Sequence, residues 1–306
     1  MSILNQKTIN KKITLKGIGL HSGNLVELNL IPSAPNTGIT FKRIDLKKNN
    51  IVVPVYSNVV DTTLCTTLRN EYGVKVSTVE HLMGALYGLG IDNLTVEINS
   101  QELPILDGSA KVFVEKILNV GIKSSSSPIK LIKINKKITY TEGSKKISLD
   151  KSKVASEIDF EINYKNNVID IQRNKINIFN DDLREIFESR TFCLYEDVEK
   201  LKKAGFAQGG SLENAVVVGH KNILNPDGLR NKKEFVNHKI LDCMGDLYLS
   251  GYRIVGNLTT SQGGHGLTNK ILRELFSDKT NFSIIEIKEK TLPYQILDKT
   301  FLKSIA

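Results

Sequence analysis

The segment from Asn231 to Gly251 constrains this chain more than any other. Phe235, Val236, Ile240, Leu241, Met244, Leu247, Tyr248 and Leu249 put apolar side chains on nearly every side of the helix it encodes, so that helix must be buried. Asn231 stands as an N-cap three residues before Glu234, and Gly251 marks the stop. Yet His238, Asp242 and Asp246, four residues apart, share one slowly drifting stripe of it. Burying an unpaired carboxylate is costly, so a cation, a metal or a hydrogen-bond network must compensate. Two arrangements satisfy that demand. One is a His–Asp ion pair inside a core; the other is one nitrogen and one oxygen ligand of a zinc-type ion, with a third ligand from elsewhere. Spacing alone leaves both open.

At 306 residues the chain is long enough for two domains with cores of their own, and 40 % hydrophobic with 25 % charged residues excludes wholesale disorder. The boundary signal is Ser124-Ser125-Ser126-Ser127-Pro128, a polar run between two periodic regions. It predicts an N-terminal domain over 1–123, a linker over 124–128 and a C-terminal domain over 129–306. Strands are expected at 13–15, 25–30, 51–56 and 93–98, with helices at 79–89 and 110–120. Beyond the boundary, strands are expected at 129–134, 146–149, 157–164 and 215–218, and helices near 181–187, 196–203, 235–250 and 270–276. Grouped strands with helices following them predict an α+β fold of two similar halves.

The formal charge of +9 makes an anionic partner plausible, whether nucleic acid, a membrane surface or a phosphorylated metabolite. The basic residues fall in scattered pairs such as Lys47-Lys48 and Lys232-Lys233, without a long run or an aromatic RNA-binding signature, which disfavours nucleic acid. The opening MSILNQKTINKKITLKG holds no apolar run ahead of a cleavage site, and no later stretch is long enough to span a bilayer, so a cytoplasmic location is expected. Cys65, Cys193 and Cys243 are far apart and odd in number, the pattern of reduced thiols and not of a disulfide framework or thiolate zinc cluster.

His81 is the candidate third ligand, in Ser77-Thr78-Val79-Glu80-His81. Ser77 and Glu80 have capping-box spacing, so Glu80 either satisfies a main-chain amide or serves as a base toward the attacking water beside a ligand histidine. The order is not HExxH, which disfavours a zincin protease. His265 lies in the glycine-rich loop Gly263-Gly264-His265-Gly266, and Asp246 is the carboxylate that would orient it and raise its pKa.

Four segments taken together resemble one family. They are Gly17-Ile-Gly-Leu-His21-Ser-Gly23, Ser77-Thr-Val-Glu80-His81-Leu, Ser189-Arg-Thr191-Phe192, and His238-Lys239-x-x-Asp242-x-x-Gly-Asp246 followed by Gly264-His265. Asp107-Gly108-Ser109-Ala110 and Asn225-x-Asp227-Gly228-Leu229-Arg230 also fit, and the match runs nearly end to end. The chain is similar to the UDP-3-O-acyl-N-acetylglucosamine deacetylases, which carry out the committed step of lipid A synthesis, a zinc-dependent hydrolysis of the 2-acetamido group that releases acetate. The resemblance implies two α+β domains, each a sheet with a pair of helices, the helices packed face to face in a β-α-α-β sandwich. The length leaves no room for the fused dehydratase domain found in some relatives, and a monomer in transient contact with a membrane surface is expected.

Carried over residue by residue, the resemblance makes His81, His238 and Asp242 the ligands of one catalytic Zn2+, Glu80 the base, Thr191 an oxyanion donor, and His265 with Asp246 a charge-stabilising pair. Lys239 would meet substrate charge near the diphosphate, and Phe192 would pack on the sugar nucleotide. An insert near 193–218 would form the passage for the 3-O-acyl chain, walled by Leu194, Val198, Leu201, Ala207, Gly210, Ser211, Leu212, Ala215 and Val217. Cys65 matches a loop bordering the site. Gln262 and Asn166-Asn167 depart from the basic residue and the His-Pro that family members often carry there. Two other readings compete: a zinc amidohydrolase acting on another N-acyl sugar nucleotide, and a basic nucleic-acid-binding protein with a structural zinc site.

Overall fold

The computed structural model describes residues 5–286; residues 1–4 and the expected end of the second domain, 287–306, lie outside the described residues. Six α-helices occur among the described residues: α1 (Glu80–Leu89), α2 (Lys111–Val120), α3 (Arg184–Glu188), α4 (Tyr195–Lys203), α5 (Glu234–Tyr248) and α6 (His265–Ser277).

A five-stranded sheet runs in the order Ile13–Ile18, Leu25–Pro32, Leu94–Ile98, Ile39–Arg43, Ile51–Val52. Period-two alternation puts Leu94, Val96 and Ile98 inward and Thr95 and Glu97 outward. A seven-stranded sheet is built around Arg253–Ser261, which pairs with Lys130–Ile134 along its first half and with Lys145–Asp150 and Ser156–Asn163 along its second. Between the sheets lie α1 and α5, buried over almost their whole lengths, as the all-round apolar pattern of α5 requires. α5 packs on α1 and on strands Ser156–Asn163, Ile171–Asn177 and Arg253–Ser261. The fold is α+β, sheet plus helices in two halves that share one continuous apolar core.

Three local expectations need correction. The run Ser124–Pro128 is no flexible tether: it belongs to strand Ile122–Pro128, which pairs antiparallel with Asn5–Ile9. Serine favours loops through its own side chain, but a strand needs only an extended backbone and a partner edge, and the N-terminal strand supplies that edge. The strand expected over 51–56 stops at Val52, because Pro54 lacks the N–H a ladder needs; a short 3-10 turn follows at Tyr56–Asn58. The helix expected from 270 begins at His265.

Candidate active site

The site forms where α1 begins against the middle of α5. A Cβ at Gly245 would stand 2.0 Å from the Glu80 carbonyl oxygen, and one at Gly84 would stand 2.8 Å from the Leu241 carbonyl oxygen, so the two glycines let the helix backbones approach closely. That approach sets Glu80 and His81, on the first turn of α1, beside His238 and Asp242.

One ligating atom from each of His81, His238 and Asp242 lies within 4.8 Å of the others, and all three residues are buried. Asp242 Oδ1 stands 3.5 Å from His81 Nε2 and 3.5 Å from His238 Nε2. The tautomer of His238 follows from its other nitrogen: Nδ1 lies 3.1 Å from the Ser189 carbonyl oxygen, which only accepts, so Nδ1 carries the hydrogen and Nε2 is bare. Burial drives the pKa of His238 down to about 3, against the opposing pull of Asp242. Asp242 Oδ1 is sealed from solvent and has no hydrogen-bond partner. An orphaned carboxylate oxygen facing the bare Nε2 of His238 and the Nε2 of His81 suits a cation, and two nitrogens with one oxygen is a zinc-type donor set that leaves a fourth position open. The residues present fit the metal.

Glu80 is not a helix cap. Ser77 Oγ donates to the Gln101 carbonyl oxygen, and Glu80 Oε2 accepts the main-chain N–H of Thr66 at 3.1 Å, so the reciprocal bonds of a capping box are absent. Only 3 % exposed, Glu80 has its pKa raised by burial in spite of the nearby His265 and His81.

His265 is the first residue of α6, not a loop residue, with Gly264 in the cap position. Its Nδ1 lies 2.7 Å from Asp246 Oδ2, while the Thr66 hydroxyl donates to Asp246 Oδ1 at 2.6 Å. Both oxygens of Asp246 are thus engaged, and His265 Nε2 faces the Asp242 carboxylate at 3.9 Å. Burial and the positive end of a helix both disfavour a cation there. Asp246, Asp242 and Glu80 together outweigh burial and hold the His265 pKa up at about 9.

Thr191 and Phe192 reach the site on a short segment anchored from below. Glu234, the first residue of α5, is fully buried and accepts the Arg190 N–H at 3.1 Å, Arg190 Nε at 2.8 Å and the Arg230 N–H at 2.6 Å. Asn231, the expected cap, bonds instead to the Lys233 N–H, and Lys233 holds the cap position without a side-chain bond. The Thr191 N–H donates to the Gly108 carbonyl oxygen at 2.8 Å, and Arg230 Nη1 bonds Asp107 Oδ2 at 2.8 Å, so the Asp107 and Arg230 segments meet behind Thr191. Lys239 Nζ donates to Asp242 Oδ2 at 2.7 Å, so this lysine is paired with the ligand carboxylate.

Glu80, His81, Thr191, Phe192, His238, Lys239, Asp242 and His265 line a polar cavity of about 110 Å3, and Asp246 stands behind it. Beside it lies an apolar cavity of about 390 Å3. The insert that walls it is a β-α-β unit: strands Phe192–Leu194 and Val216–Val218 run parallel, with α4 between them. Val198, Leu201, Ala207, Gly210, Ser211, Leu212, Ala215 and Val217 line this cavity; Leu194 lines a neighbouring hollow. Cys65 lines neither cavity, and burial together with Glu80 pushes its thiol up to about 12. Sequence reading missed Leu20, His21, Leu64 and Leu224 as walls, and Thr66 and Glu234 as supports. Leu20 and His21 sit in a quoted motif; Thr66 and Leu224 carry no signal.

No helix among the described residues is long and apolar enough to cross a membrane. The model of the UDP-3-O-acyl N-acetylglycosamine deacetylase family matches residues 6–277. Relatives named UDP-3-O-acyl-N-acetylglucosamine deacetylase include a Myxococcus xanthus protein, 44 % identical over 95 % of this chain and 92 % of its own length. A Histophilus somni protein is 42 % identical over 94 % of this chain and 95 % of its own, and one from Haemophilus ducreyi 39 % identical over 98 % and 100 %. With a match of that length on the family model, and relatives aligned along nearly their whole chains, this protein belongs to the UDP-3-O-acyl N-acetylglycosamine deacetylase family.

Proposed function

We propose that the chain hydrolyses the 2-acetamido group of UDP-3-O-(3-hydroxyacyl)-N-acetylglucosamine to UDP-3-O-acyl-glucosamine and acetate, the committed step of lipid A synthesis. The observation that carries this reading is the orphaned Asp242 Oδ1 between the Nε2 atoms of His81 and His238, next to a buried Glu80 and an apolar cavity suited to an acyl chain. His81, His238 and Asp242 would hold one Zn2+. When bound, the ion supplies Lewis-acid polarisation of the acetyl carbonyl and lowers the pKa of water to about 7.

Glu80 takes a proton from the attacking water, its raised pKa bringing it nearer the working pH of a general base. As water adds to the acetyl carbon, negative charge grows on the carbonyl oxygen, and the Thr191 hydroxyl donates to it. His265, kept protonated by Asp246, stabilises that charge and protonates the nitrogen as the amide C–N bond breaks. Acetate leaves with the oxygen of water, and the sugar keeps the amine. Lys239 meets substrate charge near the diphosphate, Phe192 packs on the sugar nucleotide, and the cavity walled by the 193–218 insert takes the acyl chain. Domains over 1–123 and 129–306 each supply part of the site, and the enzyme works in the cytoplasm as a monomer.

The test is acetate release by purified protein, before and after chelation and with zinc restored to one equivalent. Release that chelation abolishes and zinc restores is the expected result. No release from folded, zinc-loaded protein would overturn the reading.

A further inference from the structure

Leu20, His21, Leu64, Thr191 and Phe192 line both the polar and the apolar cavity and so mark the passage between them. His21 is the unusual member. Both of its ring nitrogens are shielded from solvent, and neither has a hydrogen-bond partner among the described residues. Buried polar atoms are rarely left so, and those that are call for a ligand or a function.

The imidazole is held in place. Phe206 meets it edge-on with centroids 5.5 Å apart. The His21 and Ser22 N–H groups donate to the two oxygens of buried Glu102, each at 2.8 Å, and Thr78 Oγ1 donates to the same carboxylate. The His21 carbonyl oxygen accepts the Gln208 N–H at 3.2 Å, which ties the loop to the insert. Burial lowers the His21 pKa more than Glu102 raises it, so near neutral pH the ring offers one N–H donor and one bare acceptor.

With the acetamido group at Glu80 and an alkyl chain in the apolar cavity, the part of the substrate that crosses this passage is the start of the acyl chain. That part carries two polar groups: an ester carbonyl, which accepts, and a hydroxyl on the third carbon, which can donate. Leu20 and Leu64 can serve neither. We propose that His21 is a substrate-binding residue whose imidazole hydrogen-bonds the ester carbonyl and the 3-hydroxyl of the acyl chain where it leaves the sugar. This rests on the deacetylase reading above.

The experiment measures calorimetric binding of UDP-3-O-(3-hydroxyacyl)-glucosamine and of UDP-glucosamine to zinc-loaded wild type, His21→Phe and His21→Gln. His21→Phe keeps a flat ring and loses both nitrogens; it should weaken the acylated ligand about tenfold and leave UDP-glucosamine within about twofold. His21→Gln, which keeps a donor and an acceptor, should recover most of the loss and guards against a folding artefact. Equal losses on both ligands, or none on either, would overturn the proposal. Acetate release by the wild type tests the parent reading separately, so the two can fail independently.

Discussion

Glu234 holds Arg190 by both its main chain and its guanidinium, and the carboxylate that does so is fully buried at the start of α5. The pair therefore fixes the position of the next two residues, Thr191 and Phe192, relative to the helix that carries His238 and Asp242. Removing one partner strands the other charge in the core. Glu234→Ala should cost about 3–5 kcal/mol of stability, read from denaturant midpoints, and lower turnover in whatever fraction remains folded.

Glu80→Gln keeps the size of the side chain and removes the base. Turnover should fall about 100-fold or more, with zinc content by elemental analysis unchanged. Near-normal turnover would remove Glu80 from that role.

Asp246 acts through His265, so its loss should show in kcat and hardly in KM. Asp246→Asn is expected to lower kcat about 100-fold, because the amide gives the imidazolium no charge and can present the wrong atom to Nδ1. Thr66→Val, which frees Asp246 Oδ1, should cost roughly 10-fold in kcat by the same assay.

Ala215 is 7 % exposed and lines the apolar cavity. Ala215→Phe should fill part of that space and cut kcat/KM about 10-fold or more for long acyl chains, and less for short ones. A loss independent of chain length would place the chain elsewhere.

Lys7 gives a pH signature distant from the site. Burial, with the charge of Arg253 added, pushes its pKa down to about 8, while Asp92 pulls the other way. Between pH 8 and the ordinary lysine range Lys7 is therefore protonated more in the unfolded chain than in the folded one, and its contribution to stability rises with pH. Cys65 and His265, whose pKa values are raised in the folded protein, act in the opposite direction over the same range, so the Lys7 contribution is read as a difference: the urea midpoint of the wild type minus that of Lys7→Met should increase from pH 8 to 10.

His238, Asp242 and Asp246 were legible because a helix repeats its faces every three to four residues, and a polar stripe on an otherwise apolar helix has few explanations. The α+β class followed from grouped strands. What stayed hidden depends on contacts far apart in sequence. Thr66 meets Asp246 across 180 positions, and nothing local distinguishes it from any loop threonine. The Ser77 and Glu80 spacing suggested a cap, whereas Thr66 claims the glutamate in the folded protein. Gly263-Gly264 suggested a loop around His265, although the helix starts directly after the second glycine. The serine run became a strand only because residues 5–9 were there to pair with it.

Strand Arg253–Ser261 also imposes an order of assembly. Lys130–Ile134, Lys145–Asp150 and Ser156–Asn163 each pair with it, and they arrive more than ninety residues earlier in the chain. Until that strand has left the ribosome, the hairpins 138–150 and 156–177 have no common partner and keep open edges. The second sheet therefore closes late in synthesis, after slow long-range pairing, and a chaperone that shields nascent strand edges would act on this half of the chain before the other.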